Sequence, residues 1–411
     1  MNKRCLPEKR QSPGTSARVA GPRAGGKIDG PVIHHPMTNA DPANLEFTSE
    51  EMRAMGEATL ARVIDHIASL PAQPACGDVD AADLCRSLRE PPPEKEAALE
   101  PLLAQLFDQW VPRSFTASGP GYLAYIPGGG LFPAALADLI ADATNRFTGI
   151  WQAAPALVQL EANVLDWLRD WMGFPPGTRG LLTSGGSLAN FNAIVCARER
   201  KLQAEIRRGV LYASSQVHGS VEKAARMAGI HADRIHTVPV DGDFRMRVDA
   251  LAEAVAADRA RGLLPFLVVA SAGTTNTGAV DPMDAVADLR ARDGLWMHVD
   301  GAYGAFFHLC EKLRPLLPGM SRADSLTLDP HKGLFLPYGT GALLVRDGDE
   351  GQGDLTPRLC QPCRFLCKGQ LTAERADRWS PEPQPGEVRF YKKHVSTRAH
   401  DVPTSSLSQS P

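Results

Sequence analysis

The chain has 411 residues, of which 43% are hydrophobic, and its formal net charge at neutral pH is −3. A chain of this length and composition is predicted to bury a large core, as one large domain with appendages or as two to three domains. The small net charge gives no reason to expect nucleic acid or an anionic membrane as a partner, and no run of 18 apolar residues predicts a membrane span. Eight scattered cysteines, with no secretory apolar segment, predict reduced thiols and a cytoplasmic location.

The chain is predicted to begin with a tail and a helical arm. Residues 1–40 are rich in Pro, Gly and Arg and are expected to be disordered, although an over-extended gene model, with the true start at Met37, is an alternative explanation. Residues 41–117 are predicted to form the arm. Thr48 and Glu51 have capping-box spacing, and apolar residues recur at helical intervals up to Leu70. A proline-rich break separates this helix from a second helical pattern at 97–110.

Residues 118–346 are predicted to form one large domain. An aromatic loop with Tyr122 and Tyr125 precedes long helical patterning at 132–166. Strands are then predicted at 180–183, 210–214, 235–240, 266–271, 295–299, 325–328 and 342–345. Helices are predicted between them at 188–203, 221–228, 250–261 and 283–292. This alternation predicts an α/β fold with a mainly parallel seven-stranded sheet covered by helices, and ligands bind such sheets at the carboxyl ends of the strands.

Candidate functional residues follow several of these strands. Gly185 and Gly186 would let the backbone approach an anion at a helix N-terminus, with Ser187 adding a hydroxyl group, although two glycines before a helix can also form a simple turn. His218 follows the next strand and is a candidate site residue or a surface histidine. The polar loop at 273–278 is a candidate site or only a connection. Asp300 closes an apolar strand, where a buried carboxylate needs a cation or several hydrogen-bond donors.

Lys332 is the candidate nucleophile. It follows the strand at 325–328, beside His331, in a loop where a confined amine could be held partly neutral and attack a carbonyl group; a surface charge is the alternative. A phosphate cradle, an imidazole, a buried carboxylate and an amine at one edge of a sheet are the groups that pyridoxal 5'-phosphate requires. In that interpretation Asp300 keeps the pyridine nitrogen protonated, so that the ring can accept electrons.

The same residues resemble those of the group II pyridoxal-phosphate-dependent amino acid decarboxylases, which include aromatic-L-amino-acid, histidine and glutamate decarboxylases. The similar segments, in the same order, are Thr183-Ser-Gly-Gly-Ser-Leu-Ala-Asn190, Ser214-Ser-Gln-Val-His218-Gly-Ser-Val-Glu222, Gly273-Thr-Thr275, His298-Val-Asp-Gly-Ala-Tyr303 and Asp329-Pro-His-Lys332. The resemblance covers the chain from about Tyr122 to Val345 and implies the pyridoxal-phosphate transferase fold of aspartate aminotransferase type I.

The resemblance also implies a role for each site residue. Lys332 would form the Schiff base, Asp300 would pair with the ring nitrogen, Ala302 and His218 would contact opposite faces of the ring, and Thr274 would support Asp300. Four residues would surround the phosphate: Gly185, Gly186, Ser187 and His331. Three would contact the substrate, often across a homodimer interface: Tyr122, Tyr125 and Trp151. The implied reaction is decarboxylation of an L-amino acid to an amine and CO2, and the loop with Tyr122 and Tyr125 favours an aromatic substrate.

The chain departs from the family after Asp347. Family members continue with a mobile loop that carries a tyrosine and then with a small α/β domain, whereas residues 347–411 lack periodic apolar patterning and are predicted to be an irregular, disordered tail. A frameshift or a faulty gene model would explain that tail. Cys360, Cys363 and Cys367 have a metal-like spacing, but no fourth ligand is evident and no metal site is predicted. A cofactor-binding but catalytically impaired protein and a carbon–carbon lyase of the same fold are alternative functions.

Overall fold

The structure is a computed structural model that describes residues 46–77, 82–93, 97–124, 126 and 128–346. The predicted tails at 1–40 and 347–411, with the three-cysteine motif, lie outside these residues, and so does Tyr125. In the described ranges, no helix is long and apolar enough to cross a membrane.

The first helix, α1 (Ser49–Ser69), begins at the predicted capping box. The Thr48 hydroxyl accepts a hydrogen bond from the Glu51 N–H at 3.2 Å, and the Glu51 carboxylate accepts one from the Thr48 N–H at 2.7 Å. A short helix, α2 (Ala82–Ser87), was not predicted from the sequence. The second predicted helix is α3 (Leu99–Ala104), which continues as a π-helical segment over Gln105–Trp110.

The long helical pattern at 132–166 forms two helices, α4 (Phe132–Thr144) and α5 (Pro155–Trp171). The first ends at Asn145, which adopts the left-handed conformation with φ 43°. The second begins with a proline, a residue that cannot donate the backbone hydrogen bond that a helix interior requires. Periodicity alone did not reveal this break, because apolar residues continue at helical spacing through it.

Seven strands form one sheet, and each lies within two residues of its predicted bounds. They are β1 (Arg179–Thr183), β2 (Gly209–Ser214), β3 (Ile235–Val238), β4 (Leu264–Ser271), β5 (Trp296–Asp300), β6 (Ser325–Leu328) and β7 (Gly341–Val345). Their order is β1-β7-β6-β5-β4-β2-β3. Strand β7 pairs antiparallel with both of its neighbours, so the other six strands run in one direction and end at the same edge. The predicted mainly parallel α/β fold is therefore confirmed.

Helices cover both faces of the sheet. They are α6 (Gly186–Lys201), α7 (Ser220–Met227), α8 (Val248–Ala260) and α9 (Met283–Asp293), followed by the single turn α10 (Pro330–Gly333). Alternate residues of β4 belong to different cores: Val268 packs with residues of α5, α8 and α9, and Leu267 packs with residues of α6 and α7. Burial of both faces holds the strands rigidly, and the loops at their carboxyl ends are fixed with them.

Candidate functional site

A cavity of about 400 Å³ lies at the edge of the sheet where the six co-directional strands end. Loops that follow β1, β2, β4, β5 and β6 contribute its walls. All nine residues predicted to act in catalysis or to bind the cofactor line it: Gly185, Gly186, Ser187, His218, Thr274, Asp300, Ala302, His331 and Lys332. The parallel sheet thus brings together residues that are up to 147 positions apart, from Gly185 to Lys332.

The turn between β1 and α6 forms the predicted cradle. Gly185 has φ +144°, a conformation that L side chains rarely adopt, and α6 begins at Gly186 without a side-chain cap. A Cβ atom on Gly186 would lie 2.9 Å from Oδ2 of Asp329 and 3.0 Å from Cβ of Ala302. The first N–H groups of a helix have no partner within the helix, so this turn presents free donors and the positive end of the helix dipole to an anion.

Asp300 is the last residue of β5 and is buried, with 8% of its surface exposed. Its carboxylate accepts a hydrogen bond from Nδ2 of Asn190 at 2.9 Å and one from the Ala302 N–H at 3.2 Å. A buried carboxylate at this strand end was expected to need hydrogen-bond donors, and these two groups provide them. Thr274 lines the same cavity, and its hydroxyl group forms a hydrogen bond with that of Thr277 at 2.7 Å. Support of Asp300 by Thr274 stays a prediction.

Asn190 is a central residue of the site that sequence reasoning did not assign. Its Nδ2 donates to Asp300 and to the Ser220 hydroxyl at 3.1 Å. Its Oδ1 accepts from the Thr327 hydroxyl at 2.8 Å and lies 3.0 Å from Nε2 of His298. All four hydrogen-bonding positions of the amide are used, so the side chain is held in one orientation.

His298 is fully buried beneath this amide. Burial lowers its pKa from 6.5 to about 4, although the nearby Asp300 carboxylate acts in the opposite direction. A neutral ring accounts for its contacts: Nε2–H donates to Asn190, and Nδ1, 2.9 Å from the Ser325 hydroxyl, accepts. The histidine therefore fixes the amide without adding a charge beneath the site.

His218 stands at the mouth of the cavity. Its Nδ1 lies 2.8 Å from the Ser220 hydroxyl and accepts from the Ser220 N–H at 3.2 Å, which leaves the ring proton on Nε2. Ser220 in turn receives the hydrogen bond from Asn190. Asn190 and Ser220 therefore connect His218, which was expected at one face of a cofactor ring, with Asp300, which was expected at the ring nitrogen.

Lys332 lies in α10, with about a quarter of its side chain exposed. Its Nζ is 3.0 Å from Oδ2 of Asp329, a carboxylate to which the sequence reasoning gave no role. Burial raises the pKa of Asp329, and the attraction of Lys332 opposes that rise. The confined amine expected from the sequence is thus part of an ion pair, and an ion pair requires the ammonium form. Oδ1 of Asp329 has no hydrogen-bond partner among the described residues.

His331 packs beneath the cradle. Its Nδ1–H donates to the Thr340 carbonyl oxygen at 2.6 Å, and its ring lies 5.3 Å from that of Tyr338. The Gly128 backbone presses against this turn, since a Cβ atom there would lie 2.2 Å from the His331 carbonyl oxygen. The turn that carries Lys332 is therefore held from two sides.

The substrate contacts predicted for Tyr122, Tyr125 and Trp151 stay a prediction. The Tyr122 ring packs against Phe115 at 5.9 Å, Trp151 opens a short 3-10 helix, and Tyr125 lies outside the described residues. Within the described ranges, neither Tyr122 nor Trp151 lines the cavity, which is bordered instead by Tyr303 and Tyr338. The sequence reasoning assigned a role to neither of these two. In the sequence, Tyr303 is an aromatic residue three positions after Asp300, and this spacing was the signal that could have identified it.

The residues of the cavity fit a phosphorylated pyridine aldehyde. The Gly185–Ser187 turn has no room for a Cβ atom at its second glycine and offers donors for a phosphate group. Asp300, held by two donors, can pair with a ring N–H, and the Lys332 amine lines the same cavity, where it can bond to an aldehyde carbon. A cavity of about 400 Å³ is within the usual range for a cofactor site.

Comparison with known proteins supports the same conclusion. Residues 83–356 match the family described as "Pyridoxal-dependent decarboxylase conserved domain". An aromatic-L-amino-acid decarboxylase of Bacillus atrophaeus is 39% identical over 304 residues, which are 74% of this chain and 63% of that protein. Solved structures are also similar. Oryza sativa TDC with PLP has a TM-score of 0.69 at 31% identity, covering 75% of this chain and 68% of that one.

A tryptophan decarboxylase of Catharanthus roseus in complex with L-tryptophan has a TM-score of 0.70 at 28% identity, covering 74% of this chain and 67% of that one. The chain spans 63–65% of the length of the first curated relatives. These matches confirm the predicted type of fold and the predicted cofactor, pyridoxal phosphate. The chain belongs to the pyridoxal-dependent decarboxylase family.

Proposed function

We propose that this protein decarboxylates an L-amino acid with pyridoxal phosphate bound at Lys332. The observation that carries the proposal is the convergence of Lys332, Asp300 and the Gly185–Ser187 turn on one cavity. The cofactor, when bound through a Schiff base, supplies a positively charged ring that accepts the electrons of the bond to the departing carboxylate.

The protein's own residues would hold that ring and control its charge. Asp300 keeps a proton on the pyridine nitrogen, and a buried carboxylate paired with a cation avoids the free-energy penalty of either charge alone. Asn190 and the Ala302 N–H hold this carboxylate in one orientation. Ala302 and His218 would contact the two ring faces. The Gly185–Ser187 turn, with His331 behind it, would bind the phosphate.

Lys332 would also act on the substrate. With the substrate's amino group in its place, the free Lys332 amine would be available to hold or deliver a proton at the reacting carbon. Exclusion of water would favour that proton transfer, because water in the site would compete with Lys332 as the proton donor. The buried walls of the cavity, which include Thr274 and Asp329, provide part of that exclusion.

For the substrate we propose an aromatic L-amino acid. The support comes from relatives that are named aromatic-L-amino-acid decarboxylases, one of them 39% identical, and from Tyr303 and Tyr338 at the cavity. Tyr122, Tyr125 and Trp151 stay proposed as substrate contacts in a homodimer with the site at its interface. Residues 118–346 are proposed as the large cofactor domain, and a cytoplasmic location is proposed with it.

A spectrum of the purified chain with pyridoxal phosphate tests this function. We expect a visible absorbance band, borohydride reduction that attaches the cofactor to Lys332, and release of CO2 and an amine from an aromatic amino acid. Lys332→Ala should abolish all three, whereas Lys312→Ala, at an exposed lysine, should change none. Reduced cofactor on a different residue would refute the role of Lys332. Labelled Lys332 without any product would favour the catalytically impaired alternative. Cleavage of a β-hydroxy amine between its amino-bearing and hydroxyl-bearing carbons, to an amine and an aldehyde without CO2, would favour the carbon–carbon lyase.

A further inference from the structure

Asp329 occupies an unusual position between the reactive amine and the phosphate cradle. Its Oδ2 pairs with Nζ of Lys332 at 3.0 Å, while its Oδ1 has no partner in the described ranges. The carboxylate also faces the first turn of α6, since a Cβ atom on Gly186 would lie 2.9 Å from Oδ2 and 3.3 Å from Oδ1. A carboxylate, with 3% of its side chain exposed, thus borders the place where a phosphate would bind.

The charges around Asp329 explain why it can be ionised when the cofactor is absent. The Lys332 ammonium is in contact, and the positive end of the α6 dipole faces it at Gly186. His331 lies farther away, with Nε2 at 3.6 Å from Oδ2, and Asp300 contributes a negative charge that disfavours ionisation. Lys332 is therefore the principal partner that stabilises the charged carboxylate.

Cofactor binding would remove that partner. When Nζ bonds to the aldehyde carbon, the nitrogen belongs to the cofactor, and the carboxylate would remain beside a phosphate that carries negative charge. Two buried anions at one helix N-terminus repel each other strongly in a medium of low dielectric constant. A protonated carboxyl group removes the repulsion, and its O–H becomes a donor for the phosphate from the oxygen that otherwise lacks a partner.

We propose that Asp329 is the proton acceptor for Lys332 during capture of the cofactor and remains protonated beside the phosphate afterwards. This inference rests on the proposed function of Lys332. Nζ forms a carbon–nitrogen double bond with the aldehyde carbon. Of the three protons of the ammonium group, two leave with the carbonyl oxygen as water and the third moves to Asp329.

Proton counting tests the proposal with a readout that is independent of activity. Cofactor-free full-length protein is mixed with pyridoxal 5'-phosphate in weakly buffered solution at neutral pH, and the protons released or taken up are titrated. We expect the wild type to retain about one proton more per site than Asp329→Asn, because an amide cannot accept the proton. Asp284→Asn, at an exposed carboxylate that pairs with Arg322 at 3.1 Å, should match the wild type.

A second ligand separates the phosphate from the aldehyde. Pyridoxine 5'-phosphate carries an alcohol in place of the aldehyde and leaves the pair between Lys332 and Asp329 intact. With it, the wild type and Asp329→Asn should give the same proton count. Infrared difference spectra of the wild type provide a test that needs no variant: the band of a protonated carboxyl group should appear with pyridoxal phosphate.

The outcomes distinguish this inference from the proposed function. Equal proton counts for the wild type and Asp329→Asn, or no carboxyl band in the wild type, would overturn the role of Asp329 even where borohydride still labels Lys332. Failure of that labelling in the wild type would refute the proposed function and this inference with it. If Asp329→Asn does not fold, the wild-type infrared band decides alone.

Discussion

Replacement of Asn190 by Asp tests whether the amide holds Asp300 in place. The substitution keeps the shape of the side chain and exchanges only its NH2 group for an oxygen. That oxygen would face Oδ2 of Asp300 across 2.9 Å and the Ser220 hydroxyl across 3.1 Å. The substitution thus replaces a hydrogen-bond donor to the Asp300 carboxylate with a second carboxylate. Asn190 is only 1% exposed, so solvent cannot screen the repulsion.

The magnitude follows from the bonds that are lost. A hydrogen bond to a charged group contributes about 1.5–3 kcal/mol, and a buried polar group without a partner costs about 1–3 kcal/mol. We therefore expect Asn190→Asp to lower the free energy of unfolding by about 3–5 kcal/mol at neutral pH. The repulsion raises the pKa of the new carboxyl group, so the folded chain binds a proton that the unfolded chain has lost. The loss of stability should grow as the pH rises above about 4, the ordinary pKa of aspartate.

Urea unfolding of the cofactor-free protein between pH 5 and 8 measures this effect. Asn190→Leu is the companion variant, because it loses the same hydrogen bonds without adding a charge and should be destabilised equally across that range. Asn192→Leu is the control, since Asn192 donates a single hydrogen bond, to the Leu188 carbonyl oxygen at 2.9 Å. It should lose about 1 kcal/mol and keep the spectrum of the bound cofactor.

An Asn190→Asp variant that matched the wild type in stability at neutral pH and in the spectrum of the bound cofactor would contradict this expectation. A pH dependence no steeper than that of Asn190→Leu would also contradict it. In either case the contact between Asn190 and Asp300 would not determine the state of that carboxylate.

Three further predictions concern other parts of the molecule. The free energy of unfolding should fall by about 3 kcal/mol as the pH falls from 6.5 to about 4, because the folded chain keeps His298 neutral while the unfolded chain protonates it. Urea unfolding at a series of pH values measures this fall, and His298→Gln should make it smaller. Tyr212→Phe should lower the free energy of unfolding by about 1–3 kcal/mol in the same assay and leave the cofactor spectrum unchanged, because the Tyr212 hydroxyl donates to buried Asp258 at 2.7 Å and lies outside the cavity. Gly185→Ala should weaken pyridoxal phosphate binding about tenfold in a spectroscopic titration, since a backbone φ of +144° strains a residue with a side chain by about 1–3 kcal/mol. The control Gly242→Ala, at a glycine with open space around it, should bind the cofactor normally.

Local sequence patterns predicted the sheet well because each strand is a short apolar run with polar residues at its end. Ligand sites in parallel sheets lie at the carboxyl ends of the strands, and this rule placed Lys332, Asp300 and the Gly185–Ser187 turn at one edge. The direction of β7 was not foreseen. Only the single turn α10 stands between β6 and β7, too little for the crossover that a parallel neighbour requires.

The pair formed by Asp329 and Lys332 could have been found from the sequence. The two residues are three positions apart, and such residues face each other across one helical turn. The hydroxyl group of Thr274 likewise has a local partner, Thr277, three positions along the same loop.

The sequence by itself determined the order of strands and helices along the chain, the edge of the sheet at which a ligand would bind and the chemical groups that meet there. Those properties depend on periodicity and on residues next to strand ends, which are local. Only the tertiary structure decided which groups those residues contact. Asn190 acquires its role from His298 and Thr327, which are 108 and 137 positions away, and no local pattern encodes an orientation set by partners so distant.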